Sequence, residues 1–394
     1  MWVFFVILMK TLSYISRISD KLLKSLLESA GAVLVEGAKW CGKTQSSLQI
    51  ANSVVYLQDP DEGPGYLAMA DTKPSLLLEG EPPLLLDEWQ MAPVIWDAVR
   101  FAVDKRGLMG QFILTGSATP SDNETIHSGT GRIARMLMRP MSLFESNESN
   151  GKVSIKDLFA GNTDIAAKRT LTIEQIAHAV CRGGWPAAVI SGKQSPRIAM
   201  NYVDAVINLD VQRVDGVEKD PERVRLLLQS LARNISTQAT SKTIMDDMQV
   251  NEASITDKTL SSYLNALRRL FVVEDVPAWQ PSLRSKTAIR TANKRQFVDP
   301  SLATAALRTN ATGILRDFKT FGFLFESLCT RDLRIYSQAN DGVVFHYRDK
   351  SELESDLIIK LNDGRWAPVE VKLGNKEIEE AAANLIKLSH KVDS

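Results

Sequence analysis

Apolar residues recur along this chain with two different periods, and the switches between them mark its parts. From Ile15 to Leu27, residues Ile18, Leu22, Leu23, Leu26 and Leu27 share one face of a helix, and Gly31 ends it. Four short apolar runs follow: Ala32–Val35, Val54–Leu57, Pro83–Leu86 and Gln111–Thr115. Helical stretches such as Val94–Lys105 separate them. Strands alternating with helices predict a parallel α/β sheet. After about residue 150 the pattern is helical, from roughly 170 to 275. Strand-like runs return at Val343–Tyr347, Leu357–Leu361 and Ala367–Val371, so a smaller α/β domain is expected at the end.

Composition narrows the picture only slightly. The chain has 394 residues, 44% hydrophobic and 24% charged, which suits several ordinary globular domains. Its formal net charge is +0, so any nucleic-acid site must be a local patch. Cys41, Cys181 and Cys329 are far apart and lack metal or redox spacing, which points to a reducing, cytoplasmic setting. The four histidines have no ligand spacing. Met1–Met9 is apolar but too short to span a bilayer, so it reads as an N-terminal extension, with Met9 a candidate start and no membrane partner.

One segment carries specific chemistry. Gly37-Ala38-Lys39-Trp40-Cys41-Gly42-Lys43-Thr44 matches the phosphate-binding P-loop in full, with an apolar strand before it and a helical pattern after it. The glycines let backbone N–H groups wrap the phosphates of ATP, and the helix start adds its dipole. Lys43 is expected to reach the β- and γ-phosphates and Thr44 to ligate Mg²⁺. Leu84-Leu-Leu-Asp87-Glu88 is an apolar strand ending in two carboxylates, at the strand end that faces the ligand crevice. Asp87 is expected in the Mg²⁺ shell and Glu88 as the general base for water. Thr115 and Ser117 end the next strand, with hydroxyls suited to sensing the γ-phosphate. Arg132 and Arg135, in the segment from His127, are candidate arginine fingers, acting in cis or toward a neighbouring copy in a homo-oligomer.

Further along, Ser241–Met248 and a helix carrying Leu260, Tyr263, Leu264, Leu267 and Leu270 suggest a helix-turn-helix, with Phe271–Val273 as a wing and Thr256 or Asp257 as a cap. Lys258, Arg268 and Arg269 flank the second helix, and Arg284, Lys286, Arg290, Lys294 and Arg295 follow without an intervening acid. These cations make a DNA-facing surface a reasonable expectation. Glu326 falls on a helix over Gly322–Asp332, Asp356 just before a strand, and Glu370 and Lys372 at the end of the next.

Taken in order, these segments resemble the bacterial and archaeal AAA-type ATPases that carry a C-terminal domain of unknown function related to PD-(D/E)XK nucleases. The matching residues are the P-loop, Leu86–Glu88, Phe112–Ser117, Gly131–Ile133, Arg139–Leu143, Arg182–Pro186, Phe297–Pro300 and Glu370–Lys372. The match runs from about Met9 to the end. It implies an N-terminal extension (1–14), an ATPase domain (15–150), a helical lid (151–235), a winged helix (236–295) and a nuclease-like domain (296–394). Family members usually continue beyond a point equivalent to Ser394, so the last domain is expected to be clipped. The resemblance further implies that Pro186 packs near the adenine. It implies that Asp356 and Glu370 bind Mg²⁺, with Glu326 completing the set and Lys372 orienting water. The alternative it leaves open is an ATP-dependent switch whose nuclease-like domain does not cut.

Overall fold

The computed structural model describes residues 14–393 except 118–128, 163, 169, 192–195, 215–216, 218, 250–254, 282–291 and 375–376. The Met1–Met9 run, His127, Arg284, Lys286 and Arg290 therefore lie outside the described residues. The chain divides into two compact units: Met1–Arg139 with Arg269–Phe271, and Pro140–Arg268 with Val272–Ser394.

The first unit is a parallel sheet flanked by helices. Its strands are β1 (Ala32–Glu36), β2 (Ser53–Tyr56), β3 (Leu84–Asp87), β4 (Phe112–Gly116) and β5 (Ile133–Leu137), in the order β2-β3-β4-β1-β5. Every pairing is parallel. β3 and β4 are buried throughout, as unbroken Leu, Ile and Phe runs require when helices cover both faces. The first helix, Ile18–Ser29, buries Leu23 and Leu27, and the helix Val94–Arg106 buries Ile95, Trp96, Val99 and Val103. β5 is absent from the hydrophobic pattern. It is an edge strand paired only to β1, and the exposed Arg135 breaks its apolar alternation. Gly107 closes the Val94–Arg106 helix in the left-handed conformation, at φ 63°.

The second unit is helical up to its C-terminal sheet. The region expected as a lid holds the helices Ile173–Arg182, Pro186–Ser191, Pro196–Ala205 and Pro221–Arg233. Ser241–Gln249 and Asp257–Arg269 form the expected helix pair, and the Thr256 hydroxyl accepts the Thr259 N–H at 3.2 Å as the second helix's cap. At and just beyond the stretch expected as a wing, single antiparallel bridges join Val273 to Phe297 and Val276 to Lys294. After the long helix Phe318–Gln338 come β6 (Gly342–Arg348), β7 (Glu354–Leu361) and β8 (Trp366–Val369), then a helix over Ile378–Asp393. These strands form an antiparallel sheet in chain order, with a bulge between Phe345 and Tyr347. A single parallel bridge, Ala278 to His346, adds to the edge at β6. Among the described residues, no helix is long and apolar enough to cross a membrane.

Candidate active site

The P-loop leaves the end of β1 and turns into the short helix Lys43–Leu48. Its backbone demands glycine at both ends. Gly37 has φ 149°, and a Cβ there would lie 2.1 Å from the Met138 carbonyl oxygen. Gly42 has φ 106°. Between them Trp40 also takes positive φ, 62°, and presents its indole to solvent at 56% exposure. Lys39 is half-buried. Cys41 is buried, with its Sγ 3.4 Å from the Met138 carbonyl oxygen, so it acts as a small filler. The Lys43 ammonium folds back to donate to the carbonyls of Gly37 and Ala38, both at 2.9 Å.

Asp87, fully buried at the end of β3, gathers the hydroxyls around it. Thr44 Oγ1 donates to its Oδ1 at 2.7 Å and Thr115 Oγ1 to the same oxygen at 2.6 Å. Gln58 Nε2 donates to Oδ2 at 3.4 Å. Burial pushes this carboxyl above the usual carboxylate range, against the pull of the Thr115 and Thr44 hydroxyls. Thr44 and Asp87 thus present hard oxygen donors side by side, a set that fits Mg²⁺.

Glu88 takes the left-handed conformation, φ 56°, which turns the chain sharply off the sheet. Its N–H donates to Thr115 Oγ1 at 3.2 Å, and its Oε2 accepts Ser117 Oγ at 3.0 Å and the Gln90 amide. Gln90 was not evident from the sequence, because only that sharp turn brings a side chain two residues on back to Glu88. Arg132 Nε pairs with Asp104 at 2.8 Å and Arg135 Nη1 with Glu36 at 3.4 Å, and both arginine side chains are about half exposed. Buried Arg17, invisible to motif reading, donates Nη1 to the Cys41 carbonyl and Nη2 to that of Arg139, each at 2.8 Å.

In the second unit, Pro186 begins a helix next to a packing node. The Gly184 N–H donates to Asp299 Oδ2 at 2.9 Å, and Trp185 Nε1 to Ser301 at 3.0 Å. The Met141 N–H donates to the Gly184 carbonyl at 2.6 Å, and Arg331 holds Asp299 at 2.8 Å. Three motifs of the resemblance, Arg139–Leu143, Arg182–Pro186 and Phe297–Pro300, contribute residues to this node.

The C-terminal acids also converge. Lys372 Nζ lies 2.7 Å from Glu370 Oε2 and 3.6 Å from Asp356 Oδ2, so the Glu-x-Lys pair shares one side just beyond β8. Asp356 sits within β7, and its Oδ2 accepts the Val371 N–H at 2.9 Å. Lys294 stands among them: its Nζ is 2.7 Å from Glu326 Oε1 and 3.6 Å from Asp356 Oδ1. Burial pushes the Glu326 carboxyl up to about 7, against the pull of the Lys294 ammonium. Burial likewise raises Glu370, helped by the neighbouring Asp356 charge. Asp356 resists its own burial, and Lys294, the Val371 N–H and Lys372 hold it below the usual range.

Two expectations are corrected here. The basic run does not all face solvent: Lys294 and Arg295 are buried, and Arg295 pairs with Asp275 at 2.8 Å. Arg268, exposed, pairs with the same Asp275 at 2.9 Å, while Lys258 is exposed. The metal expected on Asp356 and Glu370 does not fit either, because an ammonium already lies between Glu326 and Asp356. No group of three or more His, Cys, Asp or Glu among the described residues is arranged to hold a metal ion.

Residues 29–147 match the AAA domain family. Residues 173–313 match a domain of unknown function, DUF8612, and residues 321–393 a second, DUF4143. Among solved structures, a Walker-type ATPase of Pyrococcus abyssi is similar at 15% identity and a TM-score of 0.44, over 76% of this chain and 99% of that one. No curated protein matches the chain.

Proposed function

We propose, from the premise that residues 29–147 form an AAA-type P-loop ATPase domain, that the chain hydrolyses ATP to work a DNA-binding second unit. The observation that carries the hydrolytic half is the Thr44–Asp87–Thr115 contact beside Glu88. Backbone N–H groups of Gly37–Gly42 cradle the phosphates, and Lys43 exchanges its own loop carbonyls for the β- and γ-phosphate oxygens. Thr44 and Asp87 would hold Mg²⁺, which when bound would supply charge neutralisation for the phosphates. Glu88 takes a proton from the water that attacks the γ-phosphorus, and the bond to the β–γ bridging oxygen breaks to release ADP. Ser117 and Gln90 give up Glu88 for that step. Arg132 of a neighbouring copy in a homo-oligomer is the assigned finger, and Pro186 the assigned adenine contact.

The DNA assignment is supported by exposed Lys258 and Arg268 on one helix, with Arg284, Lys286 and Arg290 following in sequence. Of the two roles open to the C-terminal domain, cutting and holding, the position of Lys294 favours holding. ATPase assays with and without duplex DNA decide the matter. Wild type is expected to be DNA-stimulated, and Lys43→Ala to lose nucleotide binding. Unchanged hydrolysis in Lys43→Ala overturns the ATPase reading, and indifference to DNA overturns the partner.

A further inference from the structure

Lys294 is held at both its backbone and its side chain. Its main chain exchanges two hydrogen bonds with Val276, at 2.9 and 2.8 Å. The residue is 7% exposed. Its ammonium has three acceptors in reach: Glu326 Oε1 at 2.7 Å, the Asp356 main-chain oxygen at 3.0 Å and Asp356 Oδ1 at 3.6 Å. The first two are hydrogen bonds, and Asp356 Oδ1 is an ion-pair partner at the longer distance. On the far side of Asp356, Lys372 closes the set through Glu370. Two ammonium groups thus face three carboxylates, with Lys294 and Glu326 buried, Asp356 and Glu370 partly buried and Lys372 exposed. A divalent ion entering such a set must displace a buried charge or sit against one, and both are costly.

We infer that Lys294 is the resident cation of this cluster: its tethered ammonium fills the place between Glu326 and Asp356 that a divalent ion would otherwise take. The cluster works without metal, and a divalent site opens only when Lys294 is removed. The inference rests on the reading of the C-terminal domain as one that holds without cutting. It assigns Glu326 and Asp356 a structural partnership that charge patterning alone does not reveal.

The test uses the full chain carrying Thr44→Ala and Asp87→Asn, which removes the P-loop's metal ligands, with Mn²⁺ titrated and followed by the loss of its free-ion electron paramagnetic resonance signal. With Lys294 intact, no Mn²⁺ is expected to bind. With Lys294→Ala added, one Mn²⁺ per chain is expected, lost again when Asp356→Asn is added. Asp356-dependent Mn²⁺ binding with Lys294 intact overturns the inference. If that same protein also cuts DNA, the holding reading falls with it. A Lys294→Ala chain that folds but binds no Mn²⁺ overturns the inference and leaves the reading standing. Should Lys294→Ala fail to fold in metal-free buffer, recovery of the fold by Mn²⁺ supports the inference, and failure in both conditions counts against it.

Discussion

Arg17 holds the P-loop at Cys41, its Nη1 donating to the Cys41 carbonyl at 2.8 Å from a buried position. Its other arm, on the Arg139 carbonyl, ties the loop to the residue where the first unit ends. Hydrogen bonds to charged groups of this kind contribute about 1.5–3 kcal/mol each. Arg17→Ala is expected to weaken ATP binding about tenfold, with a smaller change in kcat. Arg17→Lys, able to keep one arm, should fall between. Equilibrium nucleotide titration checks this, and an unaltered affinity in Arg17→Ala would refute a role in shaping the loop.

Glu88→Gln keeps the size and the left-handed backbone of the residue but removes the proton acceptor. Hydrolysis should fall by roughly 100-fold or more, the usual scale of general-base loss, while ATP binding persists. Gln90→Ala should move the other way or leave the rate unchanged, because it frees Glu88 from one of its two donors. Single-turnover rates and binding isotherms separate the two effects.

Trp40 is the exposed tryptophan of the P-loop, at 56% exposure, whereas Trp89, Trp96, Trp185 and Trp279 are buried. Nucleotide binding should change its surroundings and with them the tryptophan emission. The change should vanish in Trp40→Phe while calorimetric binding of ATP survives. An undiminished signal in Trp40→Phe would show that the emission reports another site.

His346 lies fully buried at the bulge of β6, its Nε2–H donating to the Ala292 carbonyl at 3.1 Å. Burial and the nearby Lys294 charge push it down to about 4. The folded form therefore binds fewer protons than the unfolded chain, so the stability His346 contributes is complete above about 6.5 and is lost as pH falls toward 4. The full loss is about 3 kcal/mol. Denaturant unfolding at pH 7.5 and pH 4.5 should show a drop that His346→Gln reduces. Equal drops in the two proteins would place the acid sensitivity elsewhere.

The ATP site was legible because its chemistry is contiguous. Eight residues define the P-loop, and a strand ending in Asp87-Glu88 needs no tertiary information. Arg17 was not legible, since its acceptors lie 24 and 122 residues away and nothing local marks the guanidinium as buried. β5 escaped because an edge strand that tolerates Arg135 shows no clean alternation. The run ending in Lys294 and Arg295 looked like a surface because sequence reports charge and not exposure. The acids that neutralise Lys294 come 32 and 62 residues later.

A positive charge carried on a side chain cannot be chelated, exchanged or diluted away. With Lys294 as the resident cation, the charge facing Glu326 and Asp356 is fixed at translation and is not drawn from the cell's supply of ions. Stripping metal with EDTA should then abolish ATP hydrolysis while leaving the fold of the C-terminal domain intact.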